Sequence, residues 1–281
     1  MMPRKRRFAL RQSMSLPIKL ISTDFDGTLF AEFENPPIPV RLQQIIGDLQ
    51  ARGAKWAVNT GRDMSSLMEA LARAHIAIQP DYLVLVEREI YCHDGSRYVG
   101  HAAWNDQCAR VHQELFARIS PDLPRLAEWI TTRFQATVYE DAYSPFCLLA
   151  GNNGDADLIH EYLIQYARTV PTLTVVRNDV YARFSHEAYN KGTALAEISR
   201  LLGLGPERVF AVGDHLNDLL MLRAEYARWL AAPANAMPPV KDAVSRQNGY
   251  VACLPHGNGA AEALEFHLAA AKRELTVAPP H

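Results

Sequence analysis

Several signals that would assign a special class of protein are missing from this sequence. It has only four cysteines in 281 residues, and no two of them form a Cys-x-x-Cys pair. Their spacing indicates neither a zinc site nor a disulfide framework, so reduced thiols in a cytosolic protein are expected. No apolar run reaches the roughly 18 residues of a membrane span, and we find no internal repeat or low-complexity tract. The cysteines are Cys92, Cys108, Cys147 and Cys253.

The sequence also has no large excess of positive or negative charge. The formal net charge is −2, so the chain lacks the broad basic surface that is typical of nucleic-acid binding. A hydrophobic share of 48% is enough for a real core, and the length favours about two domains. These properties predict an ordinary soluble enzyme, cytoplasmic, without a membrane or nucleic-acid partner.

Residues 1–14 are the exception to this balance. The segment 4–7, Arg-Lys-Arg-Arg, is basic, and Arg11 interrupts the apolar stretch that follows. A secretory signal needs a continuous apolar run of about 7–15 residues, which is absent. A nucleic-acid patch is one interpretation; a disordered basic tail is the other, and the usual behaviour of termini favours it. Met14 is an alternative start.

The most informative segment is Asp-Phe-Asp-Gly-Thr at residues 24–28, directly after an apolar, strand-like stretch. A carboxylate at Asp24 can attack phosphorus and form an aspartyl-phosphate, and Asp26 lies within reach of the same centre as a general acid and base. Gly27 allows a tight turn beside a ligand, and Thr28 supplies a hydroxyl donor. A polar turn that merely ends a strand is the alternative.

Three further motifs follow along the chain. Thr60 directly follows the strand-like stretch 56–59. Ligands of open α/β sheets bind beyond the carboxyl ends of the strands, so Thr60 is placed to contact one. Lys191 opens a helical stretch and can neutralise a phosphate. Asp214 and Asp218 follow another apolar strand and, four residues apart, share one side of a helical turn. Hard carboxylate oxygens beside a phosphate are what Mg²⁺ prefers.

In this order the four motifs resemble the haloacid dehalogenase (HAD) superfamily of phosphohydrolases, and in particular its Cof-type sugar-phosphate phosphatase branch. The resemblance covers the chain from about Ile18 to Leu268. It implies that Asp24 is the nucleophile, that Asp26 is the acid and base, and that Mg²⁺ is the cofactor. It further implies a metal site made of the Asp24 and Asp214 side chains and the Asp26 carbonyl, with Asp218 steadying the metal shell, and a phosphate site made of Thr60, Gly61, Lys191 and Asn217.

Strands and helices alternate along most of the chain, which predicts an α/β fold with a Rossmann-like core and a parallel sheet. The carboxyl ends of its strands would then bring the motifs to one edge. The predicted strands are Ile18–Asp24, Lys55–Asn59, Tyr82–Val86, Val209–Gly213 and Arg228–Ala231. The predicted helices are Arg41–Arg52, Met64–Ala74, Lys191–Leu202 and Asn217–Ala224.

The segment 91–184 does not fit this alternation. It contains helical stretches at 103–119, 123–133 and about 157–167, and strand-like runs at 137–150 and 173–184. The resemblance implies that it is an inserted α+β cap of the C2 type, with residues 15–90 and 185–281 forming the catalytic core. Caps that close over a site exclude water.

The predicted function is Mg²⁺-dependent hydrolysis of a small phosphorylated metabolite, a sugar phosphate by resemblance, through an aspartyl-phosphate. A phosphosugar mutase of the same superfamily and a non-catalytic binding protein are the alternatives. A monomer and a homodimer are both compatible with the sequence.

Two departures from the Cof pattern leave the substrate open: residues 86–91, Val-Glu-Arg-Glu-Ile-Tyr, and 232–236, Ala-Pro-Ala-Asn-Ala. Arg88 either binds a second anionic group of the substrate or faces solvent between two glutamates. The second interpretation is favoured, because exposed ion pairs are weak and common on protein surfaces. His186 and His215 flank site motifs, either as substrate contacts or incidentally.

Overall fold

The computed structural model describes residues 16–277 of the chain. The predicted basic tail, residues 1–14, lies outside the described part. No helix within that part is both long enough and apolar enough to cross a bilayer.

The larger of two sheets has eight strands in the order β12-β11-β10-β1-β2-β3-β4-β5. The first six strands of that order run parallel, and β4 and β5 add an antiparallel hairpin at one end. The strands of this sheet are β1 (Leu20–Thr23), β2 (Lys55–Asn59), β3 (Tyr82–Leu85), β4 (Glu89–His93), β5 (Tyr98–Gly100), β10 (Val209–Val212), β11 (Trp229–Ala232) and β12 (Tyr250–Val251).

Helices cover both faces of this sheet, which is why its central strands are apolar on both sides. On one face, α1, α2 and α8 pack with Ile21 and Trp56. On the other, α6 and α7 pack with Leu20 and Ala57. Successive side chains of a strand point to opposite faces, so β1 and β2 serve both clusters. These helices are α1 (Val40–Ala51), α2 (Met64–Arg73), α6 (Lys191–Leu202), α7 (Pro238–Arg246) and α8 (His256–Val277).

A second, antiparallel sheet in the order β6-β7-β9-β8 lies in the chain between β5 and α6. Three helices pack on it around a separate apolar cluster that contains Phe146 and Phe184. We call this unit the cap. Its elements are α3 (Ala102–Ile119), α4 (Leu123–Thr131), β6 (Ala136–Tyr139), β7 (Cys147–Ala150), α5 (Asn153–Ala167), β8 (Leu173–Asn178) and β9 (Tyr181–His186). The predicted fold class, an α/β core with an inserted α+β unit, is confirmed.

Two sequence-based predictions need correction. The predicted cap begins too early at Tyr91, because that residue lies in β4 and pairs with Leu83 of the larger sheet. The predicted helix Asn217–Ala224 is only a short 3-10 helix, Leu216–Leu220. Its turn is tightened because the Asp218 carboxylate accepts hydrogen bonds from the backbone N–H groups of Asp214 and His215, both at 2.9 Å.

Candidate active site

A buried ion-pair cluster lies at the carboxyl ends of β1 and β10. The Nζ atom of Lys191 donates to Asp24 Oδ1 at 2.6 Å and to Asp218 Oδ1 at 2.7 Å. Lys191 is only 1% exposed and Asp218 is completely buried. Because burying an unpaired charge costs much free energy, each partner stabilises the others. Three of the predicted site residues are therefore brought into direct contact.

Local sequence fixes Lys191 at this point. Asn190 caps α6 in a capping box with Thr193, so that Lys191 is the first helical residue. Gly192 lets the helix approach the 3-10 helix closely, since a Cβ atom there would collide with the Leu220 carbonyl oxygen. The side chain of Lys191 consequently enters the sheet edge rather than solvent.

Asp214 completes a group of three carboxylates. One oxygen from each of Asp24, Asp214 and Asp218 lies within 4.8 Å of the others, a spacing that can hold a metal ion. Thr28 Oγ1 donates to Asp214 Oδ1 at 2.7 Å. Lys191 supplies a single positive charge against three carboxylates, and oxygen donors of this kind suit Mg²⁺. The donor set therefore fits a divalent cation.

The pKa values of these groups reflect the excess of negative charge. Burial, followed by the charge of Asp218, raises the pKa of the Asp24 carboxyl well above its ordinary value. Burial and the same charge raise the pKa of Asp214 to about 6. Burial opposes the charged form of Lys191, but the carboxylates of Asp218 and Asp24 outweigh it and raise its pKa. A further cation would relieve the repulsion among the carboxylates.

Asp26 takes part in a second ion pair. Arg62 donates from Nε and Nη2 to its two carboxylate oxygens, at 2.8 and 2.7 Å. Such bidentate pairs fix orientation as well as charge. The same arginine donates its backbone N–H to the hydroxyl of Thr60 at 3.1 Å, and Thr60 is buried at the end of β2. Arg62, which our sequence analysis did not select, thus links two predicted site residues.

Asn235 is another residue that the sequence analysis missed. Its Nδ2 donates to the Gly27 carbonyl at 2.9 Å and to Asp214 Oδ2 at 3.2 Å. The backbone N–H of His256 donates to Asn235 Oδ1 at 2.7 Å. Gly27 has a φ of +77°, and a Cβ atom there would collide with the Asp214 carboxylate. The segment 232–236 therefore does contribute to the site, although it departs from the Cof pattern.

The turn between β3 and β4 reaches the site from the other side. Glu87 is 5% exposed, and its Oε1 accepts a hydrogen bond from Asn217 Nδ2 at 2.8 Å. A Cβ atom added to Gly61 would lie 3.3 Å from the same oxygen, so only glycine fits here without crowding. Val86 and Glu87 both have positive φ values, +45° and +66°. Asn217 Oδ1 is buried and has no partner among the described residues.

The preferred interpretation of Arg88 as a solvent-facing residue is wrong. Arg88 is 5% exposed, and its Nη2 donates to the Tyr143 carbonyl oxygen of the cap at 2.6 Å. His215 also meets the cap, because its Nε2 accepts the backbone N–H of Asp179 at 3.3 Å. His186 lies in β9 and accepts the backbone N–H of Ala188 at 3.1 Å.

Comparison with known proteins gives one family match that covers most of the chain. The model of the family described as sucrose-6F-phosphate phosphohydrolase matches residues 17–268. Among curated relatives, the candidate phosphatase YxeH of Bacillus subtilis is 25% identical over 255 residues, which cover 82% of this chain and 92% of that protein. The phosphoglycolate phosphatase of Methanosarcina acetivorans is 38% identical over 77 residues. That match spans 27% of this chain and only 31% of its relative.

The fold is shared with solved structures. The sucrose-phosphatase of Synechocystis, solved with sucrose and phosphate, superposes with a TM-score of 0.68 at 20% identity, covering 90% of this chain and 98% of that one. Other structures with this fold are described as haloacid dehalogenase-like hydrolases.

Proposed function

The chain belongs to the sucrose-6F-phosphate phosphohydrolase family of HAD-type phosphatases and is a phosphoric monoester hydrolase, and from this premise we propose that it hydrolyses a sugar phosphate with Mg²⁺ as cofactor. The observation that carries the proposal is the buried contact of Lys191 with Asp24 and Asp218 beside Asp214. A dianionic ester repels an attacking carboxylate, so positive charge must stand at the nucleophile.

In the proposed first step, the Asp24 carboxylate attacks phosphorus. The bond between phosphorus and Asp24 oxygen forms, and the bond between phosphorus and the sugar oxygen breaks. Asp26 gives its proton to the leaving alkoxide. Its carboxylate is paired with Arg62 in the structure, so the acid role requires Asp26 to leave this pair and take up a proton first.

In the second step, a water attacks the aspartyl-phosphate. The bond to Asp24 breaks, inorganic phosphate departs, and Asp26 receives the water proton. Lys191, Thr60 and Asn217 orient the phosphoryl oxygens. The Asp24 and Asp214 carboxylates and the Asp26 carbonyl would hold Mg²⁺, which supplies Lewis-acid stabilisation when bound. Asp218 accepts two backbone N–H groups and Lys191, which suits a residue that braces these ligands.

The test is phosphate release from a panel of phosphorylated metabolites, with and without Mg²⁺. We expect release from sugar phosphates that stops on addition of a chelator and returns with Mg²⁺. An isomeric sugar phosphate without free phosphate would identify a mutase instead, and activity that survives the chelator would refute the Mg²⁺ requirement.

A further inference from the structure

A cavity of about 670 Å³ lies between the cap and the turn that carries Arg88. Helix α3 forms one wall, with Cys108, His112 and Phe116, and the loop that follows β6 forms another, with Tyr143. Arg88 lies in its buried floor, and Glu140 and Asp141 lie on the exposed side. This volume is within the usual size of a small-molecule site.

The floor carries positive charge without an ion pair. Arg88 donates only to neutral acceptors, the Tyr143 carbonyl at 2.6 Å and Ser185 Oγ at 3.5 Å, and its Nε has no partner. Arg183, which is 4% exposed, donates to the Val86 carbonyl. Among the side chains that the structure describes, no carboxylate lies within 4.0 Å of either guanidinium. Buried charges are normally paired, so a negative partner is missing here.

The neighbouring titratable groups do not supply that partner. His112 accepts the His186 N–H at 3.0 Å, and burial, followed by the charge of Arg88, lowers its pKa to about 3, so it is neutral. The Asp141 carboxylate accepts two backbone N–H groups, and Glu89 accepts the Tyr91 hydroxyl. Burial and then Arg183 lower the pKa of Arg88 itself.

We propose that the cavity binds a second anionic group of the substrate against Arg88, so that the substrate is a phosphorylated sugar acid or a sugar bisphosphate. A guanidinium is suited to either anion because its fork matches carboxylate and phosphate oxygens. The rim carboxylates of Glu140 and Asp141 can accept hydrogen bonds from the sugar hydroxyls. This inference rests on the proposed function and adds the class of sugar phosphate.

The chain itself connects the cavity with the phosphoryl site. Glu87, whose carboxylate contacts Asn217, precedes Arg88 directly, and neighbouring Cα atoms are only about 3.8 Å apart. Glu87 also lies against Gly61 of the predicted phosphate site, since a Cβ atom added to that glycine would be 3.3 Å from Glu87 Oε1. In the proposed complex, the phosphoryl group of the substrate lies on the Asn217 side of this turn and its second anionic group lies on the Arg88 side.

The experiment compares kcat/KM for 6-phosphogluconate, glucose 1,6-bisphosphate and glucose 6-phosphate. The wild type should prefer one of the doubly anionic substrates by about 10- to 100-fold, the range of a hydrogen bond to a charged group. Arg88→Gln should bring that ratio close to one, and Arg88→Lys should restore part of it. Arg110→Gln is the matched control, since Arg110 is exposed on α3, and should keep the wild-type ratio.

The possible outcomes separate this inference from the proposed function. Hydrolysis of glucose 6-phosphate without any preference for the doubly anionic substrates overturns the inference and leaves the function standing. Preference that survives in Arg88→Gln also overturns it. If Arg88→Gln does not fold, the wild-type preference and its partial loss in Arg88→Lys decide. Gluconate added to the wild type should raise KM for glucose 6-phosphate; a change in kcat alone would indicate a separate effector site and refute the proposal.

Discussion

Buried positive charge is paired with carboxylates on one side of the Leu85–Arg88 turn and lacks such partners on the other. On the core side, Lys191 lies between two carboxylates at 2.6 and 2.7 Å. On the cap side, Arg88 and Arg183 reach only neutral oxygen atoms of the protein. The core therefore holds its charges in place before any ligand arrives, whereas the cap leaves its charge for a ligand to match. Substitutions in the core should accordingly lower the rate for every substrate, and substitutions in the cap should change which substrate is preferred.

The largest effect is expected for Asp24→Asn. An amide is a poor nucleophile, so turnover should fall below about a hundredth of the wild-type rate, a loss at least comparable with the ~10²–10⁴ of acid–base catalysis alone. Phosphate release from several substrates measures it, and circular dichroism checks that the fold is kept. A variant that retains more activity, or that loses activity with one substrate only, would contradict the assignment of Asp24 to a step common to all substrates.

Asp26→Asn should act on the core but depend on the leaving group. A sugar alkoxide needs a proton and a nitrophenolate does not. Aspartyl-phosphate formation should therefore slow more with a sugar phosphate than with nitrophenyl phosphate, by a factor of ~10²–10⁴. Single-turnover phosphorylation rates on both substrates provide the measurement. An equal loss on both would show that Asp26 braces the loop rather than donating a proton.

Lys191→Met tests how far the core site depends on its ion pairs for folding. Removal of one partner leaves Asp24 and Asp218 buried and uncompensated, which should lower the free energy of unfolding by about 3–5 kcal/mol. Urea unfolding followed by fluorescence gives this value. Arg110→Met breaks an exposed pair with Glu114 and should cost no more than about 1 kcal/mol. Similar decreases in the free energy of unfolding for the two variants would contradict the buried pairing of Lys191 with Asp24 and Asp218.

A smaller, pH-dependent effect is expected for metal removal. Because the pKa of Asp214 is raised from 3.8 to about 6, the folded protein without metal binds a proton that the unfolded chain releases. Through this group its stability is greatest below pH 3.8 and falls as the pH rises to about 6. Mg²⁺ requires the ionised carboxylate.

Mg²⁺ should therefore raise the melting temperature more at pH 7.5 than at pH 5. At a Mg²⁺ concentration of a hundred times Kd, binding should raise the free energy of unfolding by about 2.7 kcal/mol. Calorimetry at both pH values checks this, with Asp214→Asn as the control that should remove most of the gain. An equal gain at the two pH values would argue against this carboxyl as a ligand.

Much of the core could be predicted because each motif is local. Asp24, Thr60 and Asp214 each follow a short apolar strand, and parallel strands bring such ends to one edge. The pairing of β4 with β3 could not be predicted from the sequence, because the pattern of apolar residues in a strand does not show which sheet that strand joins. Arg88 was misassigned for a related reason. Its burial depends on Tyr143 and Ser185, which are far away in sequence.

The backbone of the β3–β4 turn has a consequence for heat tolerance. Val86 and Glu87 occupy left-handed conformations that Asn and Gly adopt with far less strain. A laboratory evolution experiment that selects only for survival at high temperature should therefore replace these residues early. Each such replacement of Glu87 would discard the carboxylate that contacts Asn217. At this turn, selection for thermal stability would therefore act against turnover.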